Sequence, residues 1–538
     1  MRSPDNRYEA IIIGAGVAGI YQAKMLADLG VDFLALDAHE DFGGTWFKNR
    51  YPGCRFDSES YTYGYKFSKE VLDEWDWKEH FSPQPDNLRY LNFVADKFDL
   101  RKYFRFDSRV QSMIWSESEN LWSIALETGE TFHTRFVITC LGALSKKFIP
   151  DIDGAETFEG RAFHSYDWPD ETIDLSELKV GVIGTGATGI QIISEIADKA
   201  GELAVFQRNP NWSIPLNNAP ISAREMNDIR ARYDEIFAIC RRSQGGFCHL
   251  PERHEISKFS QKERRAFWDE LYDRRGFALL LANYRETFLE TEANRELSDY
   301  VADRIRHRVK DPDTANALIP KDHGFGMKRL PLETRYFEAY NRDNVHLVDL
   351  SKTPIKCVTQ TGIQTVSDHH DLDLIVYATG FEAITGALTL IDIAGVEGRA
   401  LADKWKDETR TYLGIMIRGF PNFMMIGGPQ SVSGSTNYPQ AIEIGVEWTT
   451  ALLKRAIERG DTRIEASAEG EEMWTGHVAD VQEQMPFNKV QSWFTGYNPN
   501  AAKDTSQFRY NAYWGGVPKY RAFLEQAAKD GYALIEMA

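Results

Sequence analysis

Two glycine-rich turns, each set between an apolar strand pattern and a helical run, predict an α/β fold with two Rossmann-like dinucleotide-binding domains. The first is Gly14-x-Gly16-x-x-Gly19, and the second, about 170 residues on, is Gly184-x-Gly186-x-x-Gly189. A third observation completes the class. Residues 221–310 are rich in Arg, Glu, Phe and Leu and poor in strand signals, which reads as a mostly helical insertion in the second domain. In such a turn the first Gly makes the bend, the second admits a pyrophosphate to the backbone, and the third lets helix pack on strand. One pattern alone is weak evidence, but two in order imply two nucleotides.

Composition limits the alternatives. At 538 residues, 43% hydrophobic and 26% charged, the chain has the make-up of a soluble globular enzyme of two or three domains. A formal charge of −18 argues against nucleic acid or an anionic membrane as partner. No apolar run is long enough to span a bilayer, and the first hydrophobic run is already a fold strand rather than a signal core. The five cysteines (Cys54, Cys140, Cys240, Cys248, Cys357) are scattered, with no metal-ligand spacing and no redox pair. A reduced cytoplasmic protein without a metal is expected.

Taken in order, residues 10–13 form a buried strand, and the helix after the first turn stops at Gly30. The second strand, VDFLALD, ends in Asp37, an acid placed to accept from an unphosphorylated ribose, so this unit should hold FAD or NAD. The segment from Gly43 to Tyr65 contains Gly44, Thr45, Trp46, Asp57 and Tyr63. Bare backbone beside a large aromatic suits the path from pyrophosphate to isoalloxazine, although a packed surface loop would have the same composition. RFVITC reads as the last strand of the first domain, and residues 149–154 as a linker. There follows Phe158-x-Gly160-x-x-x-His164-x-x-x-Trp168-Pro169, in which a His among aromatics is by itself more often packed than catalytic. In the second unit the strand LAVFQR ends in Arg208 rather than an acid, which favours a 2′-phosphate and hence NADP. Lys328 and Arg329 lie in a turn between Gly326 and Pro331, where a cation pair can face a cleft or simply be solvated. LDLIVYATGF is a strand leading back to the first domain. The expected boundaries are 1–145 and 385–538 for the two parts of the FAD domain, 146–220 and 332–384 for the NADP domain with its linkers, and 221–331 for the insertion.

In these residues and their spacing, the chain resembles the type I Baeyer–Villiger monooxygenases. The stretch Phe158, Gly160, His164, Trp168, Pro169 matches their fingerprint, F-x-G-x-x-x-H-x-x-x-W-(P/D), in full, and the flanking glycine turns match in order. GGTWFKNRYPG, Lys328-Arg329-x-Pro331, Ala378-Thr379-Gly380 and the segment at Trp493 match as well. The resemblance implies FAD held by Gly14, Gly16, Gly19, Asp37, Gly44, Thr45, Trp46, Asp57 and Tyr63. It implies NADPH held by Gly184, Thr185, Gly186, Gly189, Arg208 and Lys328, with Trp493 capping the nicotinamide side. It further implies a flavin peroxide that attacks a ketone, with O2 as co-substrate, to give an ester or lactone. Arg329 is the expected stabiliser of that peroxide, being permanently charged where Lys would be more hydrated, and Asp57 the residue that orients it. His164 is assigned to a hinge, on the reading that the fingerprint is the linker between domains. The chain departs from cyclohexanone-type members after Gly427-Gly428-Pro429, where SVSGSTNYP brings Tyr438 to the substrate side. The alternative activity is electrophilic N- or S-oxygenation. A disulfide reductase lacks its cysteine pair here, and a sensor seldom needs two nucleotides. Which ketone is accepted is not legible; neither is the oligomeric state, for which a monomer is plausible.

Overall fold

The computed structural model describes residues 6–289, 291–432, 436–495 and 509–538. Two twisted sheets carry the fold. The first runs in the order Asp392–Ala394, Val110–Ser116, Leu121–Leu126, Thr131–Thr139, Arg7–Ile13, Phe33–Leu36, Phe104–Arg105. The long strand Thr131–Thr139 divides one edge between two partners: its first half pairs antiparallel with Leu121–Leu126, and its second half pairs parallel with Phe423–Met425. The opening strand starts at Arg7, earlier than the apolar residues 10–13 suggest, because ladder pairing with Thr131–Thr139 begins at Arg7 opposite His133. Ile11 and Ile12 are fully buried on opposite faces, as a continuous apolar run in a doubly covered parallel sheet requires.

The second sheet is wholly parallel, ordered Val345–Asp349, Glu202–Gln207, Lys179–Ile183, Leu374–Tyr377, Arg161–His164. In both sheets the strand that feeds a glycine turn lies between the next strand in sequence and a later one. Each turn therefore opens at a topological switch point, where α/β folds bind ligands. Helix Val17–Asp28 leaves the first turn and packs on Tyr438–Arg459, with Gln22 Nε2 donating to Thr450 Oγ1 at 3.0 Å. Helix Ala187–Ile196 leaves the second.

The insertion, residues 221–331, is helical as read: Ala223–Ala231, Tyr233–Arg242, Gln261–Asp273, Thr291–Arg308 and Pro312–Ala317 are its main helices. Ser222, Ser260 and Asp311 cap three of them, Ser260 within a full capping box with Glu263. The insertion is tied back at its base. Strand Ile214–Pro215 pairs with Leu332–Glu333, and Arg308 donates to Glu333 at 2.7 Å and Glu338 at 2.6 Å. A guanidinium shared by two carboxylates, one of them fully buried, is the geometry in which such pairs are strong.

One sequence expectation changes. The fingerprint was expected to be the linker between domains, but Arg161–His164 is an edge strand of the second sheet, in register with Leu374–Tyr377. The crossing lies beside it, where Lys147 and Phe381 form an antiparallel bridge and Phe148 N–H donates to Gly380 O at 2.9 Å. The reason is that alternating Phe163 and His164 find a partner strand, which a linker would not supply.

The first and third glycines of each turn leave no room for a side chain. A Cβ on Gly189 would lie 2.1 Å from Gly184 O, whereas one on Gly476, within helix Ala468–Glu483, would meet nothing within 4 Å. We expect Gly189→Ala to lose about 1–3 kcal/mol in chemical denaturation and to weaken NADP binding while FAD content is kept. Gly476→Ala should gain up to about 1 kcal/mol. Equal stabilities for the two variants would contradict this packing.

Candidate active site

The two turns repeat one construction. Gly14 has φ +118° and its added Cβ would fall 2.4 Å from Cys140 O; Gly184 has φ +109° and would meet Ala378 O at 2.5 Å. Each first glycine thus sits against the carbonyl that ends the neighbouring strand, and no L side chain fits there. Gly19 and Gly189 pack on the carbonyls of Gly14 and Gly184 behind the turns. Gly16 and Gly186 face the cleft as N-caps of the two helices, whose free N–H groups point into it. Gly44 brings a second stretch of backbone against Gly16, its added Cβ 2.9 Å from Gly16 Cα.

On the first side, Asp37 is buried and already accepts Ala15 N–H at 2.6 Å and His39 N–H at 2.8 Å. Burial pushes its carboxyl up, against the pull of those two donors. Its remaining lone pairs face the cavity. Gly44 caps the short helix Thr45–Lys48, and Trp46 Nε1 donates to Tyr63 OH at 2.9 Å, so Trp46 and Tyr63 act as one aromatic wall with Phe56 stacked on Tyr63 at 4.3 Å.

On the second side, Thr185 Oγ1 donates to Asn209 O at 3.3 Å, and Arg208 is exposed at the end of its strand with no ion pair among the described residues. Lys328 is paired: its Nζ lies 3.0 Å from Asp322 Oδ2, while Asp322 Oδ1 accepts from His323 Nδ1 at 2.6 Å. Against its partial burial, the His323 ring and the Lys328 ammonium hold the Asp322 carboxyl below the usual range.

Between the two sides stands Arg329. Its Nη2 donates to Asp57 Oδ2 at 2.6 Å, its Nη1 to Leu330 O at 2.9 Å, and its guanidinium lies 5.1 Å from the Phe277 ring centroid. Three consecutive side chains hold the basic turn from below. Asn211 donates to Arg329 O at 2.9 Å, Trp212 Nε1 to His323 O at 2.9 Å, and Ser213 to Pro331 O at 3.0 Å. Neither these anchors nor Asp322 was legible, since a polar stretch after a strand carries no signal for the distant turn it meets. The pattern Asn-Pro-Asn-Trp-Ser directly after Arg208 was the available clue.

The other expected residues divide. Tyr438 opens helix Tyr438–Arg459 and lines the cavity under Gly427; burial pushes its phenol up. Its turn is held by Asn437 and Gln440, which both donate to Thr62 O. Residues 433–435 of the SVSGSTNYP loop lie outside the described residues, as do 496–508 beyond Trp493. Trp493 lines the cavity and stacks edge-on with Phe494 at 4.5 Å, on an apolar cluster that includes Met327. Phe158, Gly160, His164, Trp168 and Pro169 stay behind the wall. Gly160 packs against Asp373 O, Trp168 packs edge-on against Phe163 at 5.2 Å, and His164 accepts Tyr166 N–H at Nδ1 (3.1 Å), leaving Nε2–H to donate to Gly380 O at 3.0 Å. Burial holds the pKa of this imidazole down, and an Nδ1 that accepts an N–H carries no proton, so the ring is in its neutral form in this geometry.

All the facing residues line one cavity of about 1870 Å³, running from Asp37 past Arg329 to Arg208. A single small-ligand site occupies roughly 300–1,000 Å³, so this cleft has room for two dinucleotides and a substrate. The donor set fits them: two glycine-backed helix N-termini for pyrophosphates, an acid at one ribose end and a cation at the other.

Comparison with known proteins agrees. The family model described as Flavin-binding monooxygenase-like matches residues 8–219. The chain is 42% identical to 2-oxo-Delta(3)-4,5,5-trimethylcyclopentenylacetyl-CoA monooxygenase of Pseudomonas putida, over 100% of this chain and 99% of the relative. It is 35% identical to a Baeyer–Villiger monooxygenase of Pseudooceanicola batsensis, over 98% and 96% respectively. The crystal structure of OTEMO in complex with FAD and NADP superposes with a TM-score of 0.95 at 42% identity, covering 99% of both chains. The chain belongs to the Baeyer–Villiger monooxygenases, the FAD- and NADP-dependent branch of the flavin-binding monooxygenases.

Proposed function

We propose that the chain uses NADPH and O2 to insert one oxygen atom beside a ketone carbonyl, giving an ester or lactone, and that Arg329 is the residue that makes this possible. The observation that carries the reading is the Arg329–Asp57 pair, set midway along the cleft between the two nucleotide ends. When bound, FAD supplies the hydride acceptor and the oxygen-activating centre, and NADPH the hydride. What the protein must add is a fixed positive charge where oxygen carries negative charge. A guanidinium cannot lose its proton at working pH, and Asp57 holds one of its faces so that the remaining N–H groups stay aimed at the cleft. Phe277 beneath it excludes water from one side, which strengthens the charge-assisted hydrogen bond.

The first sheet, built from strands before residue 140 and after residue 391, supports the two-part FAD domain. The second sheet supports the NADP domain. Asp37 would take the FAD ribose, and Gly14, Gly16 and Gly44 its pyrophosphate, with Thr45, Trp46 and Tyr63 leading to the ring. Arg208 and Lys328 would take the 2′-phosphate, which requires Lys328 to leave Asp322. Trp493 would close the nicotinamide end, and Tyr438 would face the ketone. His164, neutral and locked between Tyr166 and Gly380, would hold the crossing strands so that the two domains move as coupled bodies.

The test of the reading is isotope-labelled O2 with a panel of cyclic, linear and aryl ketones: label should enter the ester once per NADPH oxidised. Arg329→Ala should keep FAD and NADPH binding but lose ester formation by roughly hundreds-fold, with Arg329→Lys only partly restoring it; ester at the wild-type rate would remove Arg329 from this role. Asp322→Asn should lower KM for NADPH a few-fold and leave KM for NADH unchanged, as expected of a like charge removed near the phosphate. A raised NADPH KM would mean that Asp322 positions Lys328 instead. His164→Ala should raise the fraction of NADPH oxidised without ester, measured as hydrogen peroxide; unchanged coupling would leave the residue a packing group only.

A further inference from the structure

A second constellation lies beside the cleft and takes no part in the chemistry above. Glu59 is distant in sequence from the adjacent pair Cys248 and His249, yet the ligand atoms of all three lie within 4.8 Å of one another. Glu59 is 3% exposed and His249 7%, so this is a buried cluster and not a solvated acidic patch. Cys248 is half-buried, which leaves a path in from solvent.

The imidazole of His249 is the unsatisfied member of the cluster. His249 Nε2 approaches Glu59 Oε1 at 2.8 Å, but out of line for an imidazole N–H donor. Neither His249 Nδ1 nor Nε2 has a hydrogen-bond partner. Buried polar nitrogens left in this state cost on the order of 1–3 kcal/mol each. An unpartnered imidazole beside a carboxylate and a thiol, with all ligand atoms within 4.8 Å, is instead what a site for an ion provides. Bonds near 2.0 Å at tetrahedral angles place nitrogen and oxygen ligands about 3.3 Å apart, so Glu59 and His249 need open by only a few tenths of an ångström.

We propose that Glu59, Cys248 and His249 form a binding site for one divalent metal ion of the zinc type. One thiolate, one imidazole and one carboxylate are the mixed soft and borderline ligands that zinc and cobalt take, with the fourth position left to water. Coordination releases the Cys248 thiol proton to solvent. The site has a structural consequence. Glu59 follows Asp57 by two residues, and Cys248 follows Phe247, which lines the cleft. A bound ion would therefore clasp the segment that orients Arg329 to the helical insertion, across one edge of the cavity.

The test uses FAD- and NADP-loaded protein, stripped with a chelator and titrated with Co2+. One equivalent should bind, with tetrahedral visible absorption and a thiolate-to-cobalt charge-transfer band, and Zn2+ should displace it. Cys248→Ser and His249→Gln should each weaken binding at least about 100-fold while keeping FAD, and Cys357→Ser should bind as the parent does. Should either ligand variant lose FAD, the parent protein decides: Zn2+ should protect Cys248 from alkylation, mapped by mass spectrometry. Absence of the thiolate band, undiminished binding by Cys248→Ser, or equal alkylation with and without Zn2+ would each overturn the proposal.

Discussion

Where the strand that feeds each glycine turn ends, there is space for backbone and none for a Cβ, and the active cleft is built outward from that steric limit. Gly14 against Cys140 O and Gly184 against Ala378 O let each strand turn at once into a helix, and Gly19 and Gly189 let that helix sit directly on the turn. Because the turn is so short, the helix N-terminus arrives at the sheet edge with its N–H groups uncommitted. Both helices then address one cavity, so two anionic cofactors can enter the same space in a protein whose net charge is −18. Local dipoles and a few placed cations outweigh the global charge at this range.

Inside the cleft the cations are graded by how they are held. Arg329 is anchored through Asp57, its own turn and Phe277; Lys328 is held by one carboxylate that is more than half exposed; Arg208 is held by none among the described residues. The grading matches the work each is given. A group that must present charge at a fixed point benefits from several restraints, whereas groups that meet a phosphate arriving from solvent benefit from being able to reach for it. The segment Asn211–Ser213 unites the two ends of this scale, since it begins three residues after Arg208 and bonds the backbone of the Lys328–Arg329 turn.

What could be read from the sequence was whatever is encoded locally. The glycine turns, the acid of Asp37 and the cation of Arg208 depend on spacing from their own strands, and the helical character of residues 221–310 depends on composition. Family resemblance then joined Arg329 to Asp57, which spacing alone does not do. Pairings across the fold stayed hidden for a physical reason: Asn211 with Arg329, Gln440 with Thr62, and Gln191 with Tyr51 are single polar contacts between distant segments, and nothing in either segment's periodicity marks the partner. The fingerprint shows the same limit from the other side. Its residues were recognised, but its place was misjudged, because a four-residue edge strand such as Arg161–His164 becomes one only when Leu374–Tyr377 is beside it.

The division of strand Thr131–Thr139 between an early partner and a late one bears on how the chain is made. Its first half can pair as soon as it follows Leu121–Leu126 off the ribosome, but its second half waits for Phe423–Met425, and the far edge waits for Asp392–Ala394. All five strands of the second sheet lie between those points, from Arg161 to Tyr377. During vectorial synthesis the inner sheet is therefore complete while the outer one still shows an unpaired apolar edge at Val137 and Ile138. The sheet begun first is finished last, and the interval between is when the nascent chain is most exposed to aggregation.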